Sequence, residues 1–271
     1  KRNYLEKALP LFDDPDIAAV AVHTLSKWGK RTTGIGGLIR SYRVRLYRVL
    51  QATMRYGQTW KYTNVTPIVP GFASVYRTDA LRQITVNPPG LVIEDFNMTF
   101  EIYHKKLGKV AYSSEVCGIS SGDPLTLKDY YAQVKRWNLG LWQTVRRHGF
   151  WPSLFSLALF SFLVEMFIVS IVTILLPFLT LALFIVPGGA IHAPLIGGFS
   201  FFAITLFGVA VSVLYDYLIT ALVALYERKP SILADGFAFM IFRYIDSLTF
   251  LYTLPLAFFT KSDGRWVSPV R

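Results

Sequence analysis

The chain has 271 residues, 53% of them hydrophobic, a formal net charge of +11 and a single cysteine. That lone thiol, Cys117, excludes an intrachain disulfide framework and a cysteine-based zinc cluster, and reads as a small buried residue. The charge is uneven: residues 1–150 hold 22 Lys and Arg against 11 Asp and Glu, whereas residues 151–271 hold six of each.

Residues 4–12 read as the amphipathic end of a helix, and DDPD at 13–16 as a turn. IAAVAVHT at 17–24 is a short apolar, β-branched run that fits a buried strand. From Ile17 to Thr78 there is no acidic residue, while ten Lys and Arg appear, most of them in SKWGKRTTGIGGLIRSYRVRLYRVLQATMR. Arg40, Arg43 and either Tyr47 or Arg48 recur there at helical spacing, with Leu46, Val49 and Leu50 on another side. Such a basic amphipathic helix suits anionic headgroups or phosphate. Nucleic acid competes as a partner for any basic patch with aromatics, but this patch is tethered to a membrane segment, so none is expected. The glycines at 34, 36 and 37 are able to cradle phosphate, although a lone glycine cluster is more often a loop.

PIVPGFASVYRTDALRQI at 67–84 reads as a strand, a small-residue turn and a short helix. GLVIEDFNMTFEIYHKKLGKVAYSSEV then gives an apolar lead-in, the adjacent carboxylates Glu94 and Asp95, a helix to about Leu107, Gly108 as its stop and a strand at 109–116. Two roles are open to that pair. Carboxylates at a helix N-terminus cap free N–H groups and complement the dipole. One held at a strand end also serves as a general base for a hydroxyl. In DYYAQVKRWNLGLW at 129–142 a helix would set Gln133, Arg136 and Trp137 on one face. An amide, a fixed cation and a flat ring there fit either an interfacial anchor or a binding site.

Three hydrophobic stretches follow, at 153–186, 195–226 and 236–260. Each exceeds the roughly 20 residues needed to cross a bilayer. Glu165, Asp216, Arg243 and Asp246 interrupt them and are expected to face a bundle interior, a cavity or the interface. The expected domains are therefore a cytoplasmic half at 1–150, a transmembrane region at 151–261 and a polar basic tail at 262–271. Arg146 and Arg147 before the first stretch place residues 1–150 in the cytoplasm. The loop from Pro187 to Pro194 lacks Lys and Arg and suits the far side, while Glu227, Arg228 and Lys229 return inside. A third full crossing would put Lys261, Arg265 and Arg271 outside, against the positive-inside rule, so the number of crossings stays open.

Taken in order, the LFDDPDIAAVAV turn and strand, GFASVYRTDAL, the IEDFNMTFEIYHKKLGKVAY helix, QVKRW and the following spans resemble the membrane-integral family 2 glycosyltransferases. That group includes cellulose, chitin, hyaluronan and poly-N-acetylglucosamine synthases, and the ending DGRWVSPVR is similar to theirs. The resemblance implies an α/β fold, part of a GT-A domain, followed by an all-α transmembrane bundle. It also implies inverting transfer from a nucleotide-diphosphate sugar to a growing polysaccharide, a processive reaction. Asp95 would be the catalytic base and Glu94 its supporting neighbour. Gln133, Arg136 and Trp137 match the family's QxxRW motif, in which the arginine stabilises the leaving diphosphate while the other two line the acceptor and donor pocket. Gly71 and Ser74 fall where the family forms an acceptor-side wall.

The partners so implied are the sugar donor, a glycan or lipid-linked acceptor and the bilayer, with the inner membrane as location in a bacterium. Mg²⁺ or Mn²⁺ is the expected cofactor, its ligands largely outside this chain. The family's metal-binding Asp-x-Asp precedes the helix in which this chain begins, and Asp14-x-Asp16 aligns with the turn after it. The chain is thus expected to be a C-terminal portion, inactive by itself. Two alternatives remain at this stage: single-sugar transfer to a lipid or short glycan, and a non-enzymatic membrane protein that binds anionic lipid or a partner.

Overall fold

The computed structural model describes residues 3–26, 34–120, 123–185 and 194–261. The expectations for KWGKRTT, for most of the loop before Pro194, and for the 262–271 tail with its DGRWVSPVR ending lie outside the described residues.

Helix α1 (Tyr4–Ala8) tightens into a 3₁₀ turn at Leu9–Phe12, and the DDPD turn then feeds β1 (Ile17–Ser26). This strand is the centre of a three-stranded sheet, with β2 (Val75–Tyr76) antiparallel on one side and β3 (Lys109–Ser120) parallel on the other. Ile17 to His23 are all buried, which is why the sequence there is a continuous apolar run rather than an alternation. The turn is clamped by Arg77. Its guanidinium donates to the carbonyls of Ile17 at 2.9 Å, Phe12 at 2.8 Å and Asp14 at 3.0 Å.

The strand expected within 67–84 shrinks to two residues, followed by α3 (Thr78–Leu81). Upstream of it the backbone bonds to side chains instead, as where Val69 N–H donates to Thr99 Oγ1 at 2.8 Å. Helix α4 (Glu94–His104) carries that threonine and packs Met98 and Ile102 under the sheet with Ala19, Ala21 and Val110.

The basic run forms α2 (Ile35–Val49), which continues through a π-helical turn at Leu50–Arg55. Helix α5 (Leu127–His148) starts at Thr126, whose Oγ1 accepts from Asp129 N–H at 3.1 Å, and stops at Gly149 with φ 62°. The apolar half comprises α6 (Leu154–Ile185), a hairpin of β4 (Pro194–Ile196) and β5 (Phe199–Ser200), α7 (Phe201–Tyr226), α8 (Ser231–Asp235) and α9 (Phe239–Phe259). Among the described residues three helical segments are long and apolar enough to cross a membrane: Leu154–Ala182, Phe201–Tyr226 and Ser231–Phe259. The second stretch opens in the hairpin rather than in helix, and the third contains a 3₁₀ turn at Gly236–Ala238.

The two halves share a core. Phe100 of α4, Leu139 and Trp142 of α5, Phe155 and Leu159 of α6, and Phe250 of α9 form one buried cluster. The indole N–H of Trp142 donates to the Phe250 carbonyl at 3.0 Å. In place of the expected headgroups, the polar side of α2 meets the carboxylates of the apolar half. Arg45 bonds Asp216, Arg48 bonds Glu227, Ser41 bonds Asp235, and the Tyr42 hydroxyl donates to Asp246 at 2.7 Å. Charges removed from water cost several kcal/mol each unless they are paired, so the two polar sets belong together. Glu165 differs from these in being exposed, on α6.

Candidate active site

The site forms where α4, α5 and the loop before β2 converge. Ile93, not an acidic residue, occupies the N-cap position of α4, and no side chain caps it. Glu94 is exposed and Asp95 half-buried. The capping role open to this pair is therefore only partly used: Asp95 Oδ1 accepts the neighbouring Phe96 N–H at 2.9 Å, and Oδ2 accepts Gly71 N–H at 3.3 Å. Gly71 lies so close that a Cβ there would stand 3.3 Å from Glu94 Oε1 and 3.7 Å from Asp95 Cβ. A bare backbone at this point lets the loop reach both carboxylates.

Burial lifts the Asp95 pKa to about 6, with the Glu94 charge pushing in the same direction. The bonds from Gly71 and Phe96 and the Arg136 charge hold it back from rising further. Burial lowers the Arg136 guanidinium in turn, against Asp95 and then Glu94, whose charges support it. Arg136 thus stands within electrostatic reach of both carboxylates, from the middle of α5. It cannot lose its charge at any ordinary pH.

Two neighbours of this pair gave no signal in the sequence. Arg55, at the end of the π turn, is lowered by burial and supported by Tyr112 and Asp95, and it donates to the Val22 carbonyl at 3.2 Å. The Tyr76 hydroxyl is buried with no hydrogen-bond partner among the described residues, and burial followed by the charges of Asp95 and Glu94 pushes its pKa well up. Ser74 lies in the same loop as Gly71, its Oγ at the 3.5 Å limit from Val22 N–H.

Gln133, one turn before Arg136, and Trp137, the residue after it, are half-buried on α5, and both meet Arg43 of α2. Arg43 is fully buried, donates through Nη2 to Gln133 Oε1, and holds its guanidinium carbon 4.3 Å from the Trp137 ring centre. Sequence periodicity had placed Arg43 on a lipid-facing or phosphate-facing side, so its part here was missed.

Two residues of α5 fix the distance between its cation and the carboxylates. Gly140 packs its backbone on Ile93, and Gln143, fully buried, accepts Val92 N–H at 2.9 Å. Residues 92 and 93 lead straight into Glu94. For a divalent metal the described residues do not fit: they contain no group of three or more His, Cys, Asp or Glu placed to hold one. Asp16 of the Asp-x-Asp sequence is 3.0 Å from Lys109 Nζ instead.

A half-buried carboxyl tuned near neutrality, opposed by a permanent cation and walled by a glycine loop, is equipped to take a proton while negative charge grows nearby. The model of one family, described as glycosyl transferase family group 2, matches residues 1–259. The chain belongs to that family. No curated protein matches the chain. Membership makes the chain a glycosyltransferase, which displaces the non-enzymatic alternative, and the three apolar helices fit a membrane-associated member of this family.

Proposed function

We propose that this glycosyltransferase catalyses inverting transfer of a sugar from a nucleotide-diphosphate donor to the end of a polysaccharide, remaining attached between additions. In this reading Asp95 removes the proton from the acceptor hydroxyl as its oxygen attacks the anomeric carbon. The bond from that carbon to the diphosphate breaks on the opposite side, which inverts the configuration. Arg136 meets the negative charge that accumulates on the departing diphosphate, with a planar fork suited to phosphate oxygens. Glu94 keeps the base site negative, Gly71 shapes its wall, and Ser74 lies further along that wall. Trp137 offers the acceptor ring an apolar face, and Gln133 hydrogen-bonds beside it.

The observation that carries the reading is Asp95 itself: burial sets its pKa at about 6, and Gly71 and Arg136 face it. Such a carboxylate is ionised at neutral pH yet basic enough to accept a proton. Mg²⁺ or Mn²⁺ would supply further charge neutralisation on the diphosphate, from ligands outside the described residues. The spans suit a polymer that leaves through the membrane beside the site.

The test uses membranes that contain the protein as its gene encodes it, Mg²⁺ or Mn²⁺, and radiolabelled UDP-glucose, UDP-N-acetylglucosamine and GDP-mannose. A ladder of long products, abolished in Asp95→Asn, supports the proposal. A product extended by one sugar rules out processive synthesis, and unchanged transfer by Asp95→Asn removes Asp95 from the role of base.

A further inference from the structure

Arg43 is the most completely buried cation among the described residues, at 0% exposed, and it belongs to α2 rather than to the elements that carry the site. Its guanidinium is enclosed by aromatic rings: Trp137 at 4.3 Å, Tyr130 at 5.1 Å and Tyr47 at 6.0 Å from ring centre to Cζ. Of its donors, Nη2 is given to Gln133 Oε1, while Nε and Nη1 have no hydrogen-bond partner among the described residues, and the carboxylates of Asp123 and Asp246 lie within electrostatic reach. A buried cation left with two unpartnered N–H groups is costly unless ring faces take the place of acceptors. The Trp137 ring is the nearest of those faces, so the ring and the cation constrain each other.

The same element is held from behind. Tyr42, next to Arg43, and Tyr130, one turn before Gln133, both donate to the two oxygens of Asp246 on α9, at 2.7 Å and 2.5 Å. Arg43 therefore cannot slide along α5 without breaking a three-helix junction.

We infer that Arg43 is a positioning residue: it fixes the Gln133 amide and the Trp137 ring in the orientation in which they receive the acceptor sugar. This rests on the proposed reading of Gln133 and Trp137. The planar fork is essential to the role, because one edge must reach the amide while the flat face lies on the indole. A lysine keeps the charge, but as a point donor it cannot reach the amide and lie flat on the indole at the same time.

The protein, whose 271 residues include six tryptophans, is labelled with 5-fluorotryptophan in detergent, and loss of one ¹⁹F resonance in Trp137→Phe assigns Trp137. Arg43→Gln is expected to shift or broaden the Trp137 resonance while that of Trp142, further along the same helix, stays in place. Arg43→Lys should do the same. An unmoved Trp137 resonance overturns the inference. So does a common shift of Trp137 and Trp142, which marks a displaced helix.

Activity supplies the second arm, with the labelled UDP- and GDP-sugars named above. Transfer to the glycan should fall roughly tenfold to a hundredfold in Arg43→Gln, the scale of a misplaced binding group. Hydrolysis of the donor by water should change far less, since Arg136 and Asp95 are untouched. Equal loss of both, or a moved Trp137 resonance with unchanged transfer, overturns the positioning role. Asp95→Asn run in parallel separates the two levels: if that variant still transfers sugar the reading of the site fails, whereas the resonance result stands independently of it.

Discussion

Gly140 and Ile93 touch where a side chain on α5 would collide: a Cβ on the glycine would stand 2.8 Å from the isoleucine Cβ. This contact brings α5 down on the backbone that enters Glu94 and Asp95, and Arg136 lies one turn away on the same helix. Gly140→Ala gains helix propensity of about 1 kcal/mol but forces Ile93 or the whole helix outward, at about 1–3 kcal/mol. The expected result is a lower melting temperature in detergent together with reduced transfer. A variant at least as stable as the parent, with full transfer, would show that the approach of α5 is not what sets the site.

The Asp95 carboxyl gives opposite signs for stability and activity. Its folded pKa of about 6 lies above the ordinary 3.8, so the folded chain binds that proton more tightly than the unfolded chain does. The stabilisation this brings is complete below pH 3.8 and is lost as pH rises towards 6, leaving a cost of roughly 2–3 kcal/mol above it. Asp95→Asn removes that cost. It should melt higher than the parent at pH 8, with the advantage vanishing at pH 4, and yet transfer no sugar. In the parent, kcat/KM should rise about tenfold per pH unit below 6 and level off above it, as a base requires. A stabilised and fully active Asp95→Asn would contradict the assignment.

What the sequence made legible follows from period and adjacency. The apolar run at 17–24, the stop at Gly108 and the helical spacing of Gln133, Arg136 and Trp137 all describe local order, and β1, α4 and α5 appear where those signals lie. The short β2 was overread because the chain before it satisfies its backbone with side chains such as Thr99, a long-range choice without local pattern. Arg43 and Arg48 looked like part of a headgroup-binding stripe for a related reason. Their partners Gln133 and Glu227 lie 90 and 179 residues further along, and charge alone does not tell a distant polar partner from a lipid phosphate. Tyr76 and Arg55 had no signal at all, being ordinary residues brought to Asp95 by the sheet and the π turn.

Arg136 should tolerate no replacement at full rate. Lysine retains a positive charge near Asp95 and Glu94 but loses the planar pair of donors, and glutamine loses the charge as well. Loss of one donor to a developing negative charge costs about 10²–10³ in kcat in comparable sites, so the glutamine variant should fall at least that far and the lysine variant by less. Because the Arg136 charge also lowers the Asp95 pKa, Arg136→Gln should move the acid limb of the rate profile to higher pH. A profile that does not move, measured on the residual activity, separates the cation from the base.

The last prediction concerns the junction between α2 and the spans. Asp216 Oδ1 accepts from Arg45, and Arg243 Nη1 approaches the same oxygen at 2.7 Å. Arg45 and Asp216 have side chains only 5% and 6% exposed, whereas Arg243 is 40% exposed. Removing one member of a buried pair strands the other, so Asp216→Ala should cost about 3–5 kcal/mol. The double variant Arg45→Met with Asp216→Leu removes both charges and fills the same space. Such exchanges are often neutral or stabilising, so it should melt well above Asp216→Ala. Thermal unfolding in one detergent, followed by the same signal for all three proteins, decides it. If the double variant is no better than the single one, the junction depends on the geometry of that charge pair and not on sparing a stranded cation. In that case the transfer rate of the double variant becomes the measure of how far α2 must be held to keep Arg43 on Trp137.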